Sequence, residues 1–487
     1  MGGRSLRWHR RRRAAEQGPP FSPSPLARSP FSSDDKGFRD FLPALEIPRR
    51  RLIHQLEEHF SSYGYVPIDT PALEYAEILL SKGGGETDKQ TYRFTDNGGR
   101  DVALRFDLTV PFARFVAAHR NEINMPFKRY HIGKAWRGEN TQRGRYREFI
   151  QCDFDAVGPD SAALDLEIML MIREGLQRIG AGESRIRFNH RGMFNDLLKA
   201  LNLEEKNVEI LRAVDKLAKI GREKVRGLLM DIAGEEAADT LLEFITPEAD
   251  NRKTLARMIR LTEGAAGNHQ ENQQEEPESL KSGSPRKRLE IILNTVEELN
   301  LAGSFVLDPS ITRGLDYYTG VVFETFLDAL PGLGSVCSGG RYDNLTGLFM
   351  KEPISGVGAS IGLDRLMAGL QELGQLDAGS SSADVLILMM DEALLPEYQK
   401  LAALFRQAGI AVEVYPEPKK LGAQFKFAEA KKIPLALILG GNEAAAGTVN
   451  LKHLERRESV ENISRDDAVK KAREWLKRHE APGKRTP

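Results

Sequence analysis

The sequence is poor in cysteine. Only Cys152 and Cys337 occur among the 487 residues, and they lie far apart along the chain. So small and widely spaced a set argues against a disulfide framework and against a cysteine-based zinc site. We therefore expect the protein in a reducing compartment, and the cytoplasm fits best.

Long hydrophobic runs and an excess of charge of one sign are also missing. The longest apolar runs, VLILMM at 385–390 and LALIL at 435–439, are far shorter than the ~18 residues that a membrane-spanning helix needs. The net charge of -1 argues against a uniformly basic nucleic-acid-binding surface but leaves room for local basic patches. We expect a soluble protein with no membrane partner.

The N-terminal residues 1–35 are rich in arginine, proline and serine and hold few residues that could build a core. This composition predicts a disordered basic tail. Three interpretations of the tail stay open: an organelle transit peptide, an RNA-contacting arm, or an artefact of an upstream start codon. The density of proline disfavours an amphipathic targeting helix.

Changes in residue pattern divide the rest of the chain into segments. Strand and helix patterns occupy 36–200 and resume at 301–372, whereas 201–300 carries charged amphipathic helix patterns around a polar loop at 264–287. After a linker, short buried-type strands alternate with helices at 384–475. This alternation predicts a separate α/β domain with a parallel or mixed sheet.

The first ordered segment predicts a helix followed by an unusual strand. Leu52, Leu56 and Phe60 recur at helical spacing. The next strand-like run, GYVPIDTPALEY, contains Pro67 and Pro71. Because proline has no N–H to donate to a neighbouring strand, we expect this run at a sheet edge or an interface.

Residues 127–158 predict two strands joined by the polar loop GENTQRGR. Alternation places Arg137 and Glu139 on one face of the first half. An exposed hairpin with its charges in solvent explains this spacing about as well as a ligand site does. The amides and acids of the second half and the arginines at 143, 145 and 147 favour a site for a zwitterion and a polyphosphate. In that second half, Gln151, Asp153 and Asp155 share one face, and Cys152, Phe154 and Ala156 are expected to face the core.

Two further segments carry candidate ligand groups. In LRFDLTVPFAR, Asp107 and Thr109 would share one strand face and could hold an ammonium group, although both residue types also cap helices. In the Gly-rich span 338–370, we expect a turn at SGGRYDNLTGLFM and then a strand that runs into a helix with Arg365 near its start. That arginine could bind a phosphate. Neither a GxxxxGK[ST] phosphate loop nor the kinase catalytic set occurs.

The segment ITRGLDYYTGVVFET, residues 311–325, sets an arginine, an aspartate and two tyrosines within a strand-like run. Together with the hairpin RGRYREFIQCDFD and the segment GVGASIGLDRL, it resembles the signature segments of the histidyl-tRNA synthetase family, which belongs to class II. The resemblance runs in order from about Lys36 to about residue 475. It implies an α+β catalytic domain with an antiparallel sheet flanked by helices, a helical insertion, a C-terminal α/β anticodon-binding domain, and a homodimer.

The resemblance also implies a reaction and its residues. Histidine and ATP would form histidyl-adenylate, and the histidyl group would pass to the histidine tRNA. Mg²⁺ would accompany ATP, with no tightly bound organic cofactor and no metal site built from protein side chains. The implied catalytic residues are Arg313 and Arg137; the histidine-binding residues are Asp107, Leu108, Thr109, Arg137, Gln151, Asp155, Arg313, Tyr317 and Tyr318; the ATP-binding residues are Arg137, Glu139 and Arg365; and the tRNA-contacting residues are Arg143 and Arg145.

Two other functions remain as alternatives. The nearer is a catalytically silent synthetase-like regulatory subunit of ATP phosphoribosyltransferase, although relatives of that kind lose parts of the arginine and tyrosine set. The other is an RNA-binding module that uses the basic loop and the C-terminal domain without ATP-dependent chemistry.

Overall fold

The structure is a computed structural model that describes residues 37–80, 86–266, 283–311, 318–376 and 381–477. The predicted basic tail at 1–35 lies outside these residues, as do Arg313, Tyr317 and the middle of the polar loop, 267–282. Within the described ranges, no helix is both long enough and apolar enough to cross a membrane.

The described residues form strands and α-helices that are numbered in chain order. The strands are β1 (Val66–Pro67), β2 (Leu73–Tyr75), β3 (Arg93–Thr95), β4 (Asp101–Leu104), β5 (Phe127–Trp136), β6 (Glu148–Gly158), β7 (Ser184–His190), β8 (Phe305–Leu307), β9 (Val321–Leu327), β10 (Cys337–Tyr342), β11 (Ser355–Gly362), β12 (Val385–Leu388), β13 (Val412–Val414), β14 (Leu435–Ile438), β15 (Thr448–His453) and β16 (Glu458–Ser464). The helices are α1 (Pro43–Ser62), α2 (Ala76–Leu80), α3 (Glu86–Gln90), α4 (Thr109–Ala118), α5 (Ala162–Arg178), α6 (Arg191–Ala200), α7 (Asn207–Val214), α8 (Leu217–Ile220), α9 (Arg222–Ala233), α10 (Glu235–Phe244), α11 (Asn251–Ala266), α12 (Pro285–Glu298), α13 (Leu363–Glu372), α14 (Leu395–Gln407), α15 (Leu421–Ala430), α16 (Gly441–Ala446) and α17 (Arg465–Lys477).

The largest sheet of the described residues has eight strands in the order β1-β5-β6-β11-β10-β9-β7-β8. Neighbouring strands are antiparallel except in the pairs β1–β5 and β7–β8. Strand β1, which contains Pro67, lies at one edge, so the edge position predicted from proline is confirmed.

Helix α1 covers one face of this sheet. Its first residue is Pro43, a position where the missing N–H costs no hydrogen bond. Leu56 and Phe60 are fully buried, and the Phe60 ring packs on Phe154 of β6 with ring centroids 4.7 Å apart. Cys152, Phe154 and Ala156 lie in this main core, as the alternation predicts.

The opposite face of β6 is polar and also buried. Gln151, Asp153 and Asp155 are only 7%, 1% and 2% exposed. The polar face is therefore not a solvated one, and β6 is a central strand with β5 on one side and β11 on the other. Buried carboxylates of this kind need partners or a ligand.

Three local predictions are wrong. Arg137 and Glu139 do not share a strand face, because β5 ends at Trp136 and both residues lie in the loop that follows. Asp107 and Thr109 do not share a strand face, because β4 ends at Leu104 and α4 begins at Thr109. Pro111 lies in the first turn of α4, where its fixed φ and missing N–H suit a helix start. The segment predicted as a turn begins as a central strand, β10. A Cβ on Gly339 would lie 2.2 Å from the Gly358 carbonyl oxygen, so glycine there permits close approach of two strands.

The remaining described elements match the secondary structure predicted from the sequence patterns. From α7 to α12 the elements are helical, as the charged amphipathic patterns predict. Strands β2, β4 and β3 form a small antiparallel sheet. The C-terminal strands have the order β13-β12-β14-β15-β16, with β12, β13 and β14 parallel. These strands and the C-terminal helices pack around a second hydrophobic core. The predicted mixed α/β unit is confirmed.

Candidate active site

A cavity of about 1310 Å³ opens above the central strands. It lies where the β5–β6 loop meets the start of α13 and the strands β6, β10 and β11. A cavity of this volume can hold a nucleotide together with a small second substrate. The predicted residues that line it are Arg137, Glu139, Arg143, Arg145, Gln151 and Arg365.

Arg365 is placed by the junction between a strand and a helix. Strand β11 ends at Gly362 and α13 begins at Leu363, so the prediction that Arg365 lies near a helix start is confirmed. Its Nη1 donates to the Ser335 carbonyl oxygen at 2.6 Å. Burial, and then the charge of Arg145, lower the pKa of Arg365. An anion in the cavity would relieve both effects.

Arg137 follows directly after β5 and is held from several sides. Its Nε donates to the Phe106 carbonyl oxygen at 3.1 Å, and its guanidinium lies 4.4 Å from the centre of the Phe106 ring. Its backbone N–H donates to the Arg147 carbonyl oxygen at 2.9 Å, which closes the base of the loop. Glu139 forms an ion pair with Arg145 at 3.7 Å. The loop therefore presents both charge signs to the cavity.

A second polar group lies beside the cavity and is centred on Asp155. Oδ2 of Asp155 is 2.7 Å from an Arg129 guanidinium nitrogen, and Oδ1 accepts a hydrogen bond from the Tyr342 hydroxyl at 2.6 Å. Burial raises the pKa of Asp155, whereas Arg129 and then Tyr342 oppose that rise. A Cβ on Gly358 would lie 1.9 Å from Asp155 Oδ1, so only glycine leaves room for this carboxylate.

Gln151 lies on β6, as Asp155 does, and also lines the cavity. Its amide nitrogen donates to the Ser360 hydroxyl at 2.8 Å, and both side chains line the cavity. Burial raises the pKa of Asp153. Among the described residues, Gln151 Oε1 and Asp153 Oδ1 are buried acceptors with no hydrogen-bond partner. Because such atoms are rare in folded proteins, they mark a place for a ligand that donates hydrogen bonds.

The segment 107–109 approaches the same group through Arg129. The Arg129 guanidinium is 3.5 Å from the Leu108 carbonyl oxygen, and it also pairs with Asp155. Asp107 Oδ1 accepts from the backbone N–H groups of Thr109 and Val110 at 3.2 and 3.1 Å, so it caps α4. The charge of Asp107 also contributes to the raised pKa of Asp155. The predicted Asp107, Leu108 and Thr109 thus lie near Asp155, although on a loop and a helix start.

Tyr318 completes the described part of the group. It is half-buried, belongs to the same small hydrophobic cluster as Tyr342, and its carbonyl oxygen accepts from Arg191 at 2.8 Å. Asp107, Thr109, Asp155 and Tyr318 do not line the large cavity itself. Arg313 and Tyr317 lie outside the described residues, so their predicted places are untested.

Sequence reasoning missed two residues of this group, Arg129 and Tyr342. The signal for Arg129 was available, because alternation along β5 sets Arg129, His131 and Gly133 on one face. The signal for Tyr342 was hidden, because the glycines before it favoured a turn.

Two carboxylates, Glu139 and Glu324, also line the cavity. Carboxylate oxygens can bind a divalent cation that accompanies a nucleotide.

Comparisons with known proteins agree with this architecture. Family models match at residues 37–366, described as histidyl-tRNA synthetase, and at 384–475, described as anticodon binding domain. A histidine–tRNA ligase of Treponema denticola is 55% identical over 83% of this chain and 88% of the relative. One of Rhodopirellula baltica is 49% identical over 87% of this chain and 93% of the relative.

A solved structure gives the same result. The crystal structure of histidyl-tRNA synthetase from Nostoc sp. PCC 7120 superposes with a TM-score of 0.80 at 33% identity and covers 93% of this chain and 100% of that one. The predicted class II catalytic fold with a C-terminal anticodon-binding domain is therefore confirmed. The chain belongs to the histidyl-tRNA synthetase family.

Proposed function

We propose that the chain joins L-histidine to the histidine tRNA in two steps. In the first, a carboxylate oxygen of histidine bonds to the α-phosphorus of ATP and pyrophosphate leaves. In the second, a ribose hydroxyl at the 3′ end of the tRNA attacks the histidyl carbonyl carbon and AMP leaves. The observation that carries this proposal is the adjacency of an arginine-lined cavity to a buried group of acids and tyrosines: Gln151 lines the cavity, and Asp155 lies four residues further along β6.

The cavity is assigned to ATP, which enters with Mg²⁺ as the substrate complex. Arg137 and Arg365 hold the phosphates, and Glu139 contacts the nucleotide. Fixed guanidinium groups in a partly buried site stabilise the charge that develops as pyrophosphate leaves, without reorganisation at that moment. Arg313 is assigned to the α-phosphate and the histidine carboxylate. No tightly bound organic cofactor is needed for this chemistry.

The buried polar group is assigned to histidine. Asp155, whose ionised form Arg129 and Tyr342 favour, accepts a hydrogen bond from the imidazole N–H. The ring nitrogen without a proton needs a donor, and the hydroxyl of Tyr317 or Tyr318 supplies it. The segment 107–109 and Gln151 hold the ammonium end. An amino acid without the imidazole leaves these buried groups unpaired, so a discrimination of ~10⁴ is within reach without editing.

We also propose a homodimer that buries β1 and the small sheet. Large apolar side chains are exposed there, with Val66, Leu73, Tyr75 and Phe94 exposed by 46%, 40%, 46% and 47%. An exposed apolar set of this kind is typical of a subunit interface. Cys152 and Cys337 are both buried free thiols. Free thiols are typical of a reducing compartment, so we assign the chain to the cytoplasm.

The tRNA is assigned to the outer end of the β5–β6 loop and to the C-terminal domain. Arg143 and Arg145 lie at the cavity rim with side chains 60% and 42% exposed, so a phosphate backbone can reach them. The C-terminal domain is assigned to the anticodon because its family model carries that description.

Histidine-dependent exchange of labelled pyrophosphate into ATP tests the proposal. The full chain should exchange label only with histidine present, and other amino acids should not replace it. A silent regulatory subunit and an RNA-binding module would both show no exchange. The relatives at 55% and 49% identity carry the ligase name, which favours the ligase over either alternative.

A further inference from the structure

The segment 37–41 packs directly on the loop that joins β5 to β6. The Gly37 carbonyl oxygen accepts from the backbone N–H groups of Arg147 and Glu148 at 2.9 and 3.2 Å. Gly37 has a φ of +97°, and a Cβ there would lie 2.7 Å from Arg147 Cγ. Glycine is therefore needed both for the backbone conformation and for the close approach. The contact fixes the second half of the loop to the start of the described chain.

Arg39 adds a side-chain contact to this backbone contact. Its guanidinium carbon lies 3.6 Å from the centre of the Tyr146 ring and 4.4 Å from that of Phe41. The same guanidinium forms an ion pair with Oδ1 of Asp364, which is nearly fully buried. The other oxygen of Asp364 accepts from the Ile150 backbone N–H at 2.8 Å. Arg39 thus joins the loop residue Tyr146 to the first turn of α13.

The residues that this contact joins neighbour the proposed ATP groups. Asp364 directly precedes Arg365 in α13. On the loop, a Cβ on Gly144 would lie 2.9 Å from Arg365 Cα, so loop and helix start are already in contact. Arg147 Nε donates to the Glu139 carbonyl oxygen at 3.3 Å. Glu139 and Arg365 therefore sit on two elements that the Arg39 contact joins.

We propose that Arg39 is a positioning residue for the ATP half of the site. It holds the β5–β6 loop against α13 so that Glu139 and Arg365 face the same nucleotide. An arginine suits this task because its flat guanidinium can stack on a ring and pair with a carboxylate at once, whereas a lysine ammonium cannot stack in that way. This inference rests on the proposed function.

Kinetics of pyrophosphate exchange test the role. Arg39→Ala should raise the KM for ATP by about 10- to 100-fold, the range for losing a hydrogen bond to a charged group, while the KM for histidine stays within about twofold. Arg39→Lys keeps the charge beside Asp364 and should recover part of the loss. Tyr146→Leu removes the stacking ring and should raise the KM for ATP in the same direction.

Arg178→Ala is the matched control. Arg178 also pairs with a carboxylate, Glu58 at 2.6 Å, but on the exposed surface between α1 and α5. It should leave both KM values and the melting temperature nearly unchanged, because exposed ion pairs contribute little.

The outcomes separate the two proposals. If the wild-type chain shows no histidine-dependent exchange, the proposed function is wrong. If the wild type is active and Arg39→Ala keeps its KM for ATP, or raises both KM values alike, the positioning role is wrong. Should Arg39→Ala fail to fold in a thermal melt, Arg39→Lys and Tyr146→Leu decide, and wild-type KM values for ATP in both would overturn the proposal.

Discussion

Replacing Tyr342 with phenylalanine removes one hydroxyl from the centre of the proposed histidine pocket. That hydroxyl donates to Asp155 Oδ1 at 2.6 Å, and both side chains are buried. A hydrogen bond to a buried charged group contributes about 1.5–3 kcal/mol. Without the hydroxyl, Asp155 is less well aligned and less readily ionised for the imidazole, so Tyr342→Phe is expected to weaken histidine binding by up to roughly 150-fold.

The defect should depend on pH. Burial raises the pKa of Asp155, and Tyr342 is one of two groups that oppose the rise. Without the hydroxyl, the pKa rises further, so at a given pH a larger fraction of Asp155 is neutral and no longer attracts the imidazole N–H as an anion. Raising the pH restores the anion. The KM for histidine of Tyr342→Phe should accordingly fall as the pH rises, and by more than that of the wild type.

Pyrophosphate exchange measures this effect, with histidine varied at saturating ATP and then the reverse. The KM for ATP should stay within about twofold, because Tyr342 does not line the cavity that holds Arg137 and Arg365. Tyr63→Phe is the matched control, since its hydroxyl also donates to a carboxylate, Glu174 at 2.6 Å, but in an exposed contact. An unchanged KM for histidine, or equal increases in both KM values, would refute the assignment of the pocket.

Three further predictions concern the chemistry, the stability and the C-terminal domain. Arg313→His should lower the rate of adenylate formation in single turnovers by at least about 100-fold with little change in the KM for ATP, and a near-wild-type rate would remove Arg313 from the proposed chemistry. Burial lowers the pKa of His190 to about 3, so the unfolded chain binds a proton near pH 6.5 that the native state does not. The resulting stabilisation is complete above that pH and is lost as the pH falls toward 3. His190→Asn keeps an acceptor for the Gly192 N–H at the start of α6. Between pH 7 and 5 the free energy of unfolding of the wild type should fall by about 2 kcal/mol more than that of this variant. Equal losses in urea titrations would show that His190 is not the source of this pH dependence. Deleting 384–487 should preserve pyrophosphate exchange and abolish tRNA charging once light scattering confirms the dimer, whereas undiminished charging would show that the C-terminal domain does not read the anticodon.

Local patterns predicted the elements that a few neighbouring residues determine. Helical spacing located α1, proline located the edge strand β1, and a Gly-rich run into LDR located Arg365 at a helix start. Alternation assigned both faces of β6. Each of these features depends on residues within a few positions of one another, so one sequence is enough to predict them.

Contacts between distant strands could not be predicted in this way. Asp155 is paired with Arg129 of β5 and Tyr342 of β10, and the pairing depends on which strands are neighbours and in which register. A shift of one residue would turn these side chains to the other face. The assignment of Asp107 to a strand failed because proline two residues after Thr109 started a helix instead. The roles of the site residues and the domain boundaries remain predictions.

Aminoacylation of tRNA tests the central proposal most directly. The full chain is incubated with labelled histidine, ATP, Mg²⁺ and the histidine tRNA, and label in acid-precipitated RNA is counted before and after mild alkali. The proposal predicts label that requires both ATP and the histidine tRNA and that alkali releases, as an ester should. Pyrophosphate exchange without any such label, or equal labelling of unrelated tRNAs, would contradict the proposal that this chain is a histidine–tRNA ligase.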